Sequence, residues 1–385
     1  MLGKGITMPN LPKIKPKTPN FKSLAEKTSE IHLPKMNLQA IKFDVLGPQE
    51  RSLRSPKGKS NKRSFTVLGT GHFLPPRVVT NKELSNFVDT NDEWIVRRVG
   101  VKERRICTTE TAADLGYKAA LNALKMANVK PREIDLILCA TMSGDDASPS
   151  LACVIQDKLG ARCPAMDVSA ACSGFIYMLE TAAGFFARRT VKKVLVIGAE
   201  RMSRILDWKD RGTCVIFGDG AGAMVLGEGS AYLSSKLFAK GGDSVIKVPN
   251  SAGMSPFYQN ETLKPYVHMN GQETFKFAVN AMTKDLSEVI RQAGLKESDI
   301  AWVIPHQANT RIIEAAIKKL GIPGERFCTN IERCGNTSAA SIPILIDELN
   351  HDGKLRIGDY LALCSFGGGL SSGACILQWE GKKAH

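Results

Sequence analysis

The sequence predicts an α/β fold made of two similar halves, and three observations carry that prediction. Short, continuous apolar runs such as "EIDLILCAT" (from Glu133) and "VKKVLVIGAE" (from Val191) have the length of strands covered on both faces. Segments of helical spacing such as "TAADLGYKAALNALKMAN" (from Thr111) alternate with them, which argues for a largely parallel sheet core. The pattern then returns. "ANVKPREIDLIL" (from Ala127) and "AGLKESDIAWVI" (from Ala293) share a helix end, a polar turn and a buried strand, and each is followed by a helix with a similar ending, "QDKLGA" or "IKKLGI". "FGDGAGAMVL" (from Phe217) and "FGGGLSSGACIL" (from Phe366) form a second pair, each with a Gly-rich turn before an apolar strand. A period of roughly 150–165 residues fits two halves about a pseudo-twofold axis; solenoid repeats are much shorter. Active sites often lie where such halves meet.

Residues 1–63 come first along the chain. They hold 7 of the 18 prolines, and 14 Lys or Arg against 4 Asp or Glu. Proline removes backbone donors and clashes with the preceding turn, so "MPNLPKIKPKTPNFK" holds no long helix. The segment is expected to be a basic, flexible extension. A plastid-type targeting peptide is the alternative, but such peptides are Arg- and Ser-rich and poor in acids. This stretch is Lys-rich and keeps Glu26, Glu30, Asp44 and Glu50. From Phe65 the pattern changes, with "SFTVLGTG" reading as a buried strand that ends in a Gly turn. The two halves are expected at 64–235 and 236–385.

Composition bounds the function. With 43% apolar and 23% charged residues among 385, the chain is not mostly disordered. No apolar run approaches the ~18 residues of a membrane span. Beyond residue 63 there are 38 Lys or Arg against 34 Asp or Glu, so the net charge of +14 belongs mostly to the extension. Nucleic-acid binding is therefore not expected of the body, whereas a mild positive excess suits an acidic partner. None of the ten cysteines forms a CxxC pair, so no zinc ribbon, thioredoxin-type site or other metal centre is expected. The absence of a secretory signal points to a reducing compartment, with the cytoplasm as the expected location.

Cys172 is the leading candidate for chemistry. "CPAMDVSAACSGFIYMLETAAGFFAR" reads as a strand, a small-residue turn and a helix that is apolar all round, hence buried. A thiol at the N-terminus of such a helix is expected to have a lowered pKa, because the dipole and free N–H groups favour thiolate. An inert buried thiol is the competing reading. Among the six histidines, His385 is terminal, His32 lies in the extension, His351 in a turn, and His72 and His268 in loops. His306 ends the strand "AWVIPHQAN", where parallel sheets place functional groups; a structural histidine is equally compatible. Asn336 lies in "CGNTSAASIP", a small-residue turn opening a helix, where a cap is the plain alternative. The "FGGGLSS" turn offers unobstructed backbone N–H groups, as an oxyanion hole requires, although Gly also serves a tight hairpin. Neither "GTGHFLPP" nor "GDGAGA" has the dinucleotide-binding arrangement.

Taken together, "VDTNDEWIVRRVGVKERR", "DVSAACSGF", "DWKDRGTCVIFGDGAGA", "PHQANTRI", "GNTSAASIP" and "FGGGLSSG" resemble the β-ketoacyl-acyl carrier protein synthase III family of thiolase-like condensing enzymes, over about Phe65 to Glu380. The resemblance implies a five-layered αβαβα fold and a homodimer. It implies an acyltransferase that condenses an acyl-CoA primer with malonyl-acyl carrier protein, releasing CoA and CO2, without a cofactor beyond the CoA thioester. By similarity Cys172 accepts the acyl group, His306 and Asn336 complete a Cys-His-Asn set, and the N–H groups of Cys172 and Gly368 form the oxyanion hole. Trp94 and Arg98 match residues that sandwich the coenzyme A adenine, with Arg211. Thr90, Asn309 and Arg311 match other coenzyme or pantetheine contacts, and Phe275 matches a gate. Lys276, Arg311, Lys318 and Lys319 match a basic patch for the acidic carrier protein. Ser148 stands where some members carry a bulky aromatic closing the acyl pocket across the dimer interface, which implies tolerance of primers longer than acetyl.

Asn336 speaks against elongating synthases, which use two histidines, and thiolases, which use a second cysteine. A papain-like protease would be expected to have "CGSCW"-type context. Condensing enzymes of secondary metabolism, polyketide- or quinolone-type, keep nearly all these motifs and stand as the alternative.

Overall fold

The computed structural model describes residues 53–54, 63–250, 257 and 264–381. Most of the 1–63 extension lies outside the described residues. Within it, β1 (Leu53–Arg54) pairs antiparallel with the edge of a sheet.

The first half contains β2 (Ser64–Phe73), β3 (Val78–Thr80), α1 (Asn81–Leu84), α2 (Asp92–Arg98), β4 (Glu103–Arg105), α3 (Ala112–Ala127), β5 (Leu136–Ala140), α4 (Leu151–Leu159), β6 (Ala165–Val168), α5 (Gly174–Ala187), β7 (Lys193–Arg201) and β8 (Asp219–Gly229). The second contains β9 (Tyr232–Ala239), β10 (Ile246–Lys247), β11 (His268–Met269), α6 (Gly271–Gln292), β12 (Ile300–Pro305), α7 (Thr310–Leu320), α8 (Ile331–Cys334), α9 (Ser341–His351), β13 (Tyr360–Gly367) and β14 (Ser371–Gln378).

Two sheets carry the architecture, in the orders β2-β8-β7-β5-β6 and β1-β9-β14-β13-β12. In the first, β8 is antiparallel to both neighbours while β7, β5 and β6 run parallel. In the second, β14 is antiparallel to both neighbours and β13 is parallel to β12. Where β6 lies in the first half, the second has a single parallel bridge from Val303 to Phe327. The sheets are therefore mixed rather than largely parallel. β8 and β14 return beside the preceding strand without a crossover helix, and such a return must be antiparallel.

The repeat seen in the sequence is a repeat of local hydrogen bonding. After α3 the chain turns at Asn128 (φ 56°) and enters a short turn, in which Lys130 N donates to Glu133 Oε2 at 2.9 Å before β5. After α6 it turns at Gly294 (φ 73°), and Lys296 N donates to Asp299 Oδ2 at 2.8 Å before β12. The following helices, α4 and α7, both end on a left-handed glycine, Gly160 and Gly321.

Side-chain alternation assigns the layers. Leu136, Leu138 and Ala140 of β5 join the central core with α5 and α9, while Ile137 and Cys139 pack outward against α3 and α4. Leu361 and Leu363 of β13 face the same central core, and Ala362, Cys364 and Phe366 pack outward against α6 and α7. A period of two on each sheet thus yields five layers: helices, sheet, helices, sheet, helices. The apolar helix α5 lies in the middle, with Phe175, Ile176, Met178, Leu179 and Phe186 buried.

Two Gly-rich readings change. "SFTVLGTG" does not end in a turn; β2 runs through its glycines to Phe73. A Cβ at Gly71 would lie 2.3 Å from the backbone nitrogen of Ala123, so this glycine lets α3 approach the sheet backbone. "GDGAGA" likewise lies inside β8 from its second residue, Asp219, rather than before the strand. His72 and His268 belong to strands, β2 and β11, and His351 is the last residue of α9.

Candidate active site

Cys172 sits in a tight turn, Ala171–Ser173, that leads directly into α5. Ala171 before it has φ 47°, a left-handed conformation that a non-glycine residue adopts at an energetic cost. Across from the turn lies the β13–β14 hairpin. A Cβ on Gly367 would stand 2.8 Å from the Cys172 nitrogen and 3.2 Å from its Cβ, so only glycine permits this approach. Two serines join hairpin and turn: Ser173 Oγ donates to Ser371 O at 3.2 Å, and Ser371 Oγ lies 3.2 Å from Ala170 O and 2.9 Å from Gly368 O. The "FGGGLSS" segment is thus a hairpin whose turn faces the thiol. Among the described residues, neither the Cys172 nor the Gly368 N–H donates to a backbone carbonyl outside the helices and strands.

The expectation of a lowered thiol pKa is overturned. Burial pushes the Cys172 thiol up to about 12; the Ser338 hydroxyl opposes this and the Glu200 carboxylate adds to it. A backbone hydrogen bond at Cys172 also lowers it, without offsetting the lost hydration. Cys172 nevertheless keeps partial exposure.

His306 follows β12, its N–H bonded to Cys364 O at 2.8 Å. The ring is buried, lies edge-on to Phe366 at 5.5 Å between centroids, and has Nδ1 2.7 Å from Ser341 Oγ. Burial lowers its pKa to about 3, so the imidazole is neutral at physiological pH. Asn336 is held by its backbone, whose N–H bonds to Ile216 O at 2.9 Å and whose carbonyl accepts from Gly218 N at 3.0 Å. Its Oδ1 accepts from Ser338 N at 2.8 Å, which leaves Nδ2 as the donating end. The turn that follows opens α9 through Ser338–Ala340. The Ala171–Ser173 turn packs against the Ser338–Ala340 turn that follows Asn336.

Other singled-out residues form a second cluster. Asn91 caps α2 through the Trp94 N–H, at 2.8 Å. The Arg211 guanidinium lies 5.2 Å from the Trp94 ring centre, and Arg211 Nη1 donates to Asp89 O at 2.9 Å. It is Arg211, not Arg98, that faces the indole; Arg98 is exposed, and its carbonyl accepts from Asn309 Nδ2 at 3.0 Å. Thr90 Oγ1 is buried without a partner. Arg311 lies 5.8 Å from the Phe275 ring centre.

The expected basic patch is divided. Lys276 pairs with Glu273 at 2.8 Å near the start of α6, and Arg311 opens α7. Lys318 and Lys319 occupy the last turn of α7, about 10–12 Å further along its axis. Ser148 is exposed, in the loop before α4, without a hydrogen bond to the catalytic candidates. Sequence reading passed over Glu200, Ser338, Ser341 and Ser371. Their significance is tertiary: Ser338 and Ser341 lie in "GNTSAAS" and Ser371 in "FGGGLSS", while Glu200 ends "VKKVLVIGAE", far in sequence from all of these motifs.

Comparison with known proteins fits this geometry. Residues 166–241 match the 3-oxoacyl-(acyl-carrier-protein) synthase III family and residues 290–379 match its C-terminal part. The β-ketoacyl-(acyl-carrier-protein) synthase III of Clostridium acetobutylicum is 46% identical over 321 residues, covering 82% of this chain and 99% of its own length. That of Oceanobacillus iheyensis is 48% identical over 318 residues, covering 81% and 98%. The crystal structure of the Aquifex aeolicus synthase III superposes with a TM-score of 0.77 at 44% identity, covering 82% of this chain and all of its own. The priming β-ketosynthase of the R1128 polyketide pathway shares the fold at TM-score 0.78 and 34% identity, covering 85% and 98%. The chain belongs to the β-ketoacyl-acyl carrier protein synthase III family.

Proposed function

We propose that the chain starts fatty acid synthesis by condensing an acyl-CoA primer with malonyl-acyl carrier protein, with Cys172 as acyl acceptor and His306 and Asn336 as the decarboxylating pair. The observation that carries this reading is the burial of the His306 imidazole, held at Nδ1 by Ser341 Oγ at 2.7 Å; that burial lowers its pKa and favours the neutral ring.

Burial sets the roles. With its pKa near 12, Cys172 rests as a thiol and needs a base to attack. A neutral imidazole can accept that proton at Nε2 when Nδ1 carries the other hydrogen and donates it to Ser341 Oγ. The thiolate attacks the primer carbonyl, the N–H groups of Cys172 and Gly368 stabilise the oxyanion, and coenzyme A departs with the proton. In the second half-reaction the malonyl thioester oxygen needs donors. Asn336 Nδ2 is one, and His306 Nε2–H is the other when Ser341 O–H donates to Nδ1. A hydroxyl complements either tautomer, so one histidine serves both steps. Loss of CO2 leaves an enolate, which attacks the acyl-cysteine, forms the carbon–carbon bond and returns the sulfur as leaving group.

Coenzyme A docking falls to Trp94, Arg98, Arg211, Thr90 and Asn309, with Phe275 and Arg311 where the pantetheine arm enters. Arg311 and Lys276 meet the carrier protein, with Lys318 and Lys319 further along. The reaction calls for no metal or redox cofactor. A homodimer, a cytoplasmic location and primers longer than acetyl at Ser148 complete the reading.

The test separates the half-reactions. Asn336→Ala is expected to keep much of the acyl transfer from acyl-CoA while losing malonyl decarboxylation by about 10²-fold or more, whereas His306→Ala is expected to lose both. Equal decarboxylation by both variants and wild type would sink the proposal.

A further inference from the structure

We propose that Arg104 is a positioning residue for the coenzyme A site: its buried guanidinium ties the start of the helix carrying Trp94 to the turn carrying Arg211, and so sets the gap between the two groups read as holding the adenine. This rests on the reading of Trp94 and Arg211 as coenzyme contacts.

Arg104 lies in "VKERR", the end of the first of the six motifs, and the mechanism above gives that end no role. It stands on β4 and is fully buried. Its Nη1 donates to Val79 O at 3.2 Å and to Asn81 Oδ1 at 2.8 Å, and its Nη2 donates to Val215 O at 2.8 Å. Each of these acceptors is a neutral oxygen, and Nε is buried without a partner. Burial lowers the pKa only to about 10, so the group is a cation at neutral pH. Holding a buried cation on neutral oxygens alone is costly. What it provides here is a rigid planar fork with donors on two sides.

The fork reaches two segments distant in sequence. On one side Asn81, the first residue of α1, passes the contact on: its Nδ2 donates to Asp92 Oδ1 and to Val101 O, both at 2.8 Å. Asp92 opens α2, and Trp94 lies two residues on in the same helix. On the other side Val215 follows a turn stiffened by Asp210. The Asp210 carboxylate accepts from Gly212 N at 2.8 Å and Thr213 Oγ1 at 2.7 Å, and its carbonyl accepts from Cys214 N at 3.0 Å. Arg211 belongs to that turn. Its half-exposed guanidinium lies 5.2 Å from the Trp94 ring centre, and its Nη1 is held by Asp89 O. The Asp89 contact thus fixes the tip of Arg211, and the Arg104 fork fixes the base of its turn against the base of α2. Lysine at 104 would keep the charge, but its single nitrogen is a point donor that does not span both sides.

The test compares two primers on the full chain: acetyl-CoA, and acetyl-pantetheine, which lacks the nucleotide. The readout is the ratio of their second-order rates of acylating the protein, followed by intact mass. Arg104→Met and Arg104→Lys are expected to cut this ratio several-fold, about as far as Arg211→Ala does, with the acetyl-pantetheine rate nearly unchanged. A merely structural role would slow both primers alike and leave the ratio standing, which overturns the proposal. A wild-type ratio in Arg104→Lys overturns it too, since charge and not the two-sided bridge would then be what counts. Asp92 is exposed and supplies a milder pair should the Arg104 variants not fold. Asp92→Ala removes the acceptor for Asn81 and should lower the ratio, whereas Asp92→Asn keeps an oxygen there and should hold it. Both remove the charge, so equal effects overturn the proposal. If wild type shows no preference for acetyl-CoA, or Arg211→Ala keeps the full preference, the reading beneath falls. Loss of the preference in Arg211→Ala with wild-type ratios in the Arg104 variants sinks this proposal alone.

Discussion

Replacing Gly367 by alanine tests whether the approach of the hairpin to the nucleophile is what builds the oxyanion site. The new Cβ would lie 2.8 Å from the Cys172 nitrogen, 3.2 Å from the Cys172 Cβ and 3.3 Å from the Ala171 Cβ. Ordinary contact begins near 3.4 Å, so hairpin and turn must separate by at least about 0.6 Å. Oxyanion donors work over a window of about 2.7–3.1 Å, narrower than this displacement. Loss of one such donor lowers kcat about 10²–10³-fold, while overpacking costs about 1–3 kcal/mol of stability. Gly184→Ala is the matched control. That exposed helical glycine meets nothing within 4 Å, and the substitution should add roughly 0.5–1 kcal/mol without changing activity. Thermal unfolding and single-turnover acyl transfer, measured on both variants, give the two readouts. Wild-type turnover in Gly367→Ala would refute the account of this contact.

Further outcomes follow from the same geometry. His306, lowered to about 3 when folded and near 6.5 when unfolded, makes the unfolded chain bind more protons between those values, so its contribution to stability is complete above pH 6.5 and is lost as pH falls toward 3. At pH 5 the loss is on the order of 2 kcal/mol, and a His306→Gln variant, followed by denaturant melts against pH, should show a flatter acid limb; an unchanged limb contradicts the burial argument. Arg211→Ala removes the guanidinium beside Trp94 and should raise KM for acyl-CoA several-fold with little change in kcat. Arg311→Glu should raise KM for malonyl-carrier protein more than Lys319→Glu does, and the gap should shrink with added salt; equal effects would favour the far end of α7 as the docking centre.

The sequence made the candidate catalytic residues legible because each lies at a local punctuation mark. Cys172 opens a helix too apolar to face water, His306 directly follows a strand, Asn336 begins a helix-opening turn, and the glycines after Phe366 occupy a hairpin. The duplication was readable for the same reason, since its turns are closed by hydrogen bonds between residues three apart. What stayed hidden was set by contacts distant in sequence. Gly69 and Gly71 of β2 and Gly222 of β8 answer to helix backbones rather than to turns, and strand direction depends on which strand returns beside its predecessor. The thiol's raised pKa reflects its surroundings, which the position at a helix N-terminus does not report. Glu200 reaches Ala339 across 139 positions and Ser173 reaches Ser371 across 198, separations that local pattern does not encode.

The central claim is that one sulfur carries the primer between the two half-reactions. Intact-protein mass after incubation with acetyl-CoA, for wild type and Cys172→Ala, tests it most directly. The account predicts one added acetyl group on the wild type, located to the Cys172 peptide and discharged as 3-ketoacyl product when malonyl-carrier protein is added, and none on the variant. Acetylation at another residue, or ketoacyl product formed by Cys172→Ala at the wild-type rate, would contradict it.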